Sequence, residues 1–114
     1  MRYAISIFFA LIIATTASAT EFWACDGFRS TNDGSGGNPF LLKGTKSRYE
    51  YKEFNRVQQI KFIADNDVNK YRIYVDDTSN THKQAYYLKF SGNQLIITKF
   101  TIEGYNFITT CYRQ

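Results

Sequence analysis

The sequence predicts a mainly β protein, a small antiparallel β-barrel or sandwich of about seven to eight short strands with one disulfide joining the N- and C-terminal strands. Three observations predict it. Apolar and polar residues alternate with period two in several short runs, clusters of turn-forming residues separate those runs, and the two cysteines, Cys25 and Cys111, stand near opposite ends of the chain. No stretch beyond residue 19 keeps a helical period.

The first residues are read as a leader, because a segment that is removed contributes nothing to the mature fold. Met1 and Arg2 give a positive start, Tyr3 to Ala14 is almost wholly apolar, and Ala17-Ser18-Ala19 offers the small side chains a signal peptidase accepts. Residues 1–19 are therefore expected to be a signal peptide cleaved after Ala19, and residues 20–114 a single β domain, secreted or periplasmic. Phe22-Trp23-Ala24-Cys25 faintly resembles a lipoprotein cleavage site, but the apolar run ends well before it and acylation would leave Cys111 single. No later segment has the roughly 20 apolar residues that a membrane-spanning helix requires.

Strand by strand, Phe22 to Ser30 is the first candidate, and the loop Asn32-Asp33-Gly34-Ser35-Gly36-Gly37-Asn38-Pro39 follows it. Phe40 to Lys43 ends at Gly44. Arg48 to Phe54 sets Tyr49 and Tyr51 against Arg48, Glu50 and Lys52, so one face is wet. Val57 to Ile63 is less regular. After Asp65-Asn66-Asp67, Lys70 to Val75 sets Tyr71, Ile73 and Val75 against Lys70, Arg72 and Tyr74. A polar loop, Asp76 to His82, precedes a hairpin of Ala85 to Phe90 and Gln94 to Thr101 joined at Ser91-Gly92-Asn93. Tyr105 to Tyr112 carries Phe107, Thr109 and Cys111 on one side. If the first and last strands are neighbours, the two sulfurs meet and the sheet closes, hiding its edges.

The residue chemistry argues against most enzyme classes. His82, the single histidine, lies in a polar loop, and pairing both cysteines removes thiol nucleophiles and zinc thiolates. Asp65-Asn66-Asp67-Val68-Asn69 with Asp76 echoes a calcium loop, but Lys70 stands where the sharp turn needs glycine and the last ligand is Asp in place of Glu. No catalytic residue, cofactor or metal is expected. Asp76-Asp77 and Glu50 with Glu53 are the carboxylate pairs that a small envelope hydrolase would use.

The formal charge of +4 favours anionic surfaces mildly without choosing among them. Lysines, arginines and aromatics interleave along several strands, and core filling and edge protection account for that pattern ahead of a nucleic-acid groove. Were it an anion-binding face for nucleic acid or acidic glycan, Arg48, Lys52, Arg72 and Tyr74 would share it, pointing outward together. The candidate binding loop contains Asn32, Asp33, Ser35 and Asn38. In outline, Trp23-Ala24-Cys25-Asp26-Gly27 with a cysteine near the end of a short exported β chain resembles the periplasmic inhibitors of c-type lysozyme; their Ser-Gly-x-x-Tyr signature is missing. The resulting expectation is a non-enzymatic binding or inhibitor-like protein whose partner is a protein or envelope polymer, with loops on a rigid scaffold carrying recognition.

Overall fold

The computed structural model describes residues 19–77 and 84–114. Residues 1–18, where the leader is expected, and the segment 78–83, with His82, lie outside the described residues. Nine strands follow in chain order: β1 Glu21–Cys25, β2 Arg29–Ser30, β3 Phe40–Thr45, β4 Arg48–Glu53, β5 Arg56–Asn66, β6 Tyr71–Asp76, β7 Ala85–Ser91, β8 Gln94–Phe100 and β9 Asn106–Arg113. Each consecutive pair from β3 to β9 is antiparallel, β1 pairs with β3, and β1 also pairs with β9. Eight strands thus form a closed barrel, with β2 as an extra strand on β9. Closure removes the free edges that an open sheet exposes.

The expected first strand, Phe22 to Ser30, is broken in the middle. β1 and β2 lie along the same neighbour, β9, but Asp26 to Phe28 leave the ladder between them. The Asp26 amide donates to the Thr110 carbonyl at 3.0 Å, and the Gly27 amide donates to Thr109 Oγ1 at 3.0 Å. Gly27 takes φ +107°, and a β-carbon there would lie 2.7 Å from the Gly37 carbonyl oxygen. Only glycine satisfies both constraints. The kink turns the Phe28 side chain inward, where it is buried.

Period-two alternation puts Trp23, Leu42, Tyr49, Tyr51, Ile60, Tyr74, Tyr86, Leu88, Leu95 and Ile97 in the lumen, all essentially inaccessible to solvent. Cys25 and Cys111 face each other across β1 and β9 with Cα atoms 3.9 Å apart and form the predicted disulfide. Both are buried, so the cross-link closes the barrel from inside.

Strand β6 differs from the sequence expectation. Tyr71, Ile73 and Val75 face outward, and Tyr74 and Asp76 face the lumen. Alternation in sequence tells which residues share a face but not which face is interior. Here the outer face is itself aromatic: Tyr71 stacks on Tyr87 at 4.6 Å, and Tyr87 meets Phe100 edge-on at 4.8 Å. The inward Tyr74 places its hydroxyl on the Lys46 carbonyl at 2.7 Å, which removes the cost of burying it. A bulge in β5 between Phe62 and Ala64 shifts the register opposite this strand.

Candidate functional site

Up-and-down topology sorts the connections between two ends. The β3–β4, β5–β6 and β7–β8 turns lie at one end with Thr20 and Gln114. The β1–β3 segment, the β4–β5 turn, the β6–β7 connection and the β8–β9 turn lie at the other. The first polar loop singled out in the sequence belongs to the second of these ends; of the other, Asp76 to His82, only Asp76 and Asp77 are among the described residues, and they stand at that same end.

This end is sealed from within. The Phe28 ring stacks on Phe40 at 5.3 Å and meets Tyr51 and Tyr86 at 5.9 and 6.4 Å. The ammonium of Lys99 lies 4.4 Å from the Phe28 ring centre and 5.1 Å from that of Phe107. It forms an ion pair of 3.7 Å with Glu53, joining β8 to β4 across the barrel. Tyr51 and Tyr86 share a hydroxyl–hydroxyl hydrogen bond of 2.9 Å, and Tyr86 also donates to Gln84 Oε1 at 3.0 Å. Burial pulls the Lys99 ammonium below its ordinary pKa, against the opposing pull of Glu53 and Asp76. The same burial pushes the Tyr51 and Tyr86 phenols far up.

The candidate binding loop is a folded structure. The Ser30 amide donates to the Ser35 carbonyl at 2.7 Å, the Gly34 amide to Ser30 at 2.9 Å and the Gly37 amide to Phe28 at 2.8 Å. Asp33 accepts from the Ser35 amide at 2.9 Å and the Ser35 hydroxyl at 2.7 Å. These bonds hold the Asp33 carboxyl below its ordinary pKa, the Ser35 hydroxyl contributing most. Gly36 is tied to Arg29 by an isolated bridge, and a β-carbon on Gly36 would lie 2.4 Å from Arg29 Cγ. Asn32, Asp33, Ser35 and Asn38 are all exposed on this turn.

The sequence reading missed exposed apolar side chains at the same end as the loop. Phe54 is 74% exposed, Ile102 65% and Tyr105 56%. Phe54 and Asn55 form a two-residue turn with φ of 51° and 63°, the left-handed conformation of tight hairpins. Ile102 and Tyr105 sit in the β8–β9 turn, closed by Thr101, whose amide donates to the Tyr105 carbonyl at 3.0 Å. An aromatic residue beside Asn in a tight turn was the available signal for Phe54, because no lumen position exists there.

The proposed anion-binding set is not brought together. Arg48 and Lys52 point outward from β4, Tyr74 is buried in the lumen, and Arg72 lies over the Phe90 ring at 4.5 Å. Arg48 is already engaged, donating to Gln59 at 3.2 Å and forming a close ion pair with Asp77. The carboxylate pairs are also split by the sheet. Asp76 is buried while Asp77 joins Arg48 outside; Glu50 pairs with Lys43 on the outer wall while Glu53 meets Lys99 inside. Each pair is thus divided between the lumen and the outer wall. Asp65 and Asn66 belong to β5, and Asn66 to Lys70 form a tight turn in which the Lys70 amide donates to the Asn66 carbonyl at 2.9 Å.

Among known proteins, the chain matches no family model and no curated sequence. The described residues contain no helix long and apolar enough to cross a membrane.

Proposed function

We propose that the protein is a non-enzymatic, inhibitor-like binding protein that, once exported, presents the loop end of its barrel to a protein partner of the envelope or extracellular space. The observation that carries this reading is the gathering at one end of a hydrogen-bonded polar loop and three large apolar side chains left in water. Large apolar residues exposed at the rim are candidate anchors for a partner, and anchors beside a preformed loop lose little conformational entropy on binding. Export rests on the leader-like first residues, and the buried disulfide suits an oxidising compartment.

A variant combining Asn32→Ala, Asp33→Ala, Ser35→Ala and Asn38→Ala tests it. All four side chains are exposed, and the side-chain hydrogen bonds lost are the exposed ones between Ser35 and Asp33, so the melting temperature is expected to fall by a few degrees at most. Capture of the partner that the unaltered immobilised domain retains from its native envelope fraction is expected to weaken about tenfold or more, equal to at least about 1.4 kcal/mol. Equal capture by the two proteins overturns the reading.

A further inference from the structure

A groove lies at the opposite end, on the outer wall of β1, β3 and β4. It has a volume of about 400 Å³ and is lined by Thr20, Phe22, Lys43, Gly44, Arg48 and Glu50 among others. That volume falls within the range of small-molecule sites, roughly 300 to 1,000 Å³. Its composition follows from register. Phe22 pairs with Lys43, and Lys43 with Glu50, so three outward side chains stand in one row across three strands. Arg48 comes from the next outward position on β4.

The row offers three kinds of contact. Phe22 is 44% exposed and supplies an apolar aromatic surface. The Lys43 ammonium and the Glu50 carboxylate, 3.3 Å apart, supply donors beside acceptors. Arg48 adds guanidinium donors while its charge is balanced by Asp77.

This combination discriminates among ligand classes. A free anion gains little from Lys43 or Arg48, because each already has a carboxylate partner and a second negative group would face Glu50. A wholly apolar ligand would strip water from an ion pair without replacing its hydrogen bonds. A ligand with one apolar face and a fringe of hydroxyls meets both demands, since each hydroxyl both donates and accepts. We propose that this groove is a subsite for an uncharged saccharide, with one sugar ring laid on Phe22 and its hydroxyls shared among Lys43, Glu50 and Arg48.

The site is independent of the loop end, so its test leaves the first reading untouched. The mature oxidised domain, labelled with ¹⁵N, is titrated with triacetylchitotriose, maltotriose and a sulfated heparin tetrasaccharide at millimolar concentration. Amide shifts at Phe22, Lys43 and Glu50 are expected with at least one neutral sugar, little altered by salt. Phe22→Ala, an exposed change that leaves the lumen intact, is expected to weaken that binding about tenfold. Glu50→Gln, which keeps an acceptor, is expected to weaken it less. The proposal is overturned if neither neutral sugar shifts these amides, if only the sulfated sugar binds and salt abolishes it, or if the shifts map to residues 31–37.

Discussion

The folded domain is expected to be lost cooperatively as pH rises above about 10, because four tyrosines titrate only after the barrel opens. Tyr49, Tyr51, Tyr74 and Tyr86 are buried in the lumen. Burial raises all four phenols above their ordinary value of 10.0, Tyr74 to about 12. In the unfolded chain they ionise near 10, so between the free and the buried values the folded state holds more protons. Stability is therefore fully present below pH 10 and falls as pH climbs. Lys99 acts in the opposite sense: its pKa is lowered on folding, so neutralising it favours the fold as pH rises toward 10.5. One lysine is outweighed by four phenols. At a pH about one and a half units above the free phenol value, each tyrosine withholds about 2 kcal/mol and the four roughly 8 kcal/mol, comparable with a typical domain stability of about 5–15 kcal/mol. In a pH titration followed by tyrosinate absorbance and circular dichroism, ionisation of these four, half of the eight tyrosines beyond residue 19, should coincide with loss of the β signal. All eight phenols ionising with the β signal intact would contradict the buried geometry.

The second large effect is expected from the disulfide. Cys25 and Cys111 are 86 residues apart, so the bridge restrains nearly the whole mature chain. In the chain-entropy description such a loop contributes on the order of 4 to 5 kcal/mol. For a domain of this size 1 kcal/mol shifts the melting temperature by about 4–8 °C. Cys25→Ala with Cys111→Ala, which leaves no unpaired polar atom in the lumen, is therefore expected to melt roughly 20 °C or more below the oxidised protein. Reduction of the unaltered chain should do the same. A shift of only a few degrees would show that strand pairing between β1 and β9 closes the barrel unaided.

Much of the fold was legible because the chemistry of its elements is local. Ser91-Gly92-Asn93 joins β7 to β8 as expected, with Ser91 opposite Gln94, and Tyr49 and Tyr51 alternate with exposed neighbours in β4. The cysteines alone implied that the chain ends meet. What sequence could not supply was the direction of a face that is amphipathic on both sides. In β6 the more hydrophobic row lies outside, because Tyr71 has Tyr87 to stack on and Tyr74 has a carbonyl to bond inside. Lys99 reads as a surface lysine until Glu53, distant in sequence, is brought to it across the barrel. The candidate site was half legible: the loop from Asn32 to Asn38 announces itself through Gly and Asn, whereas Phe54, Ile102 and Tyr105 are brought to the same end only through topology.

Hydrogen–deuterium exchange of the domain with its captured partner bound tests most directly where recognition occurs. Slowed exchange is predicted across residues 31–37, at Phe54 and Asn55, and through the turn from Ile102 to Tyr105, with the outer wall of β4 and β5 unchanged. Protection confined to that wall, with the loop end exchanging as in the free protein, would contradict the account.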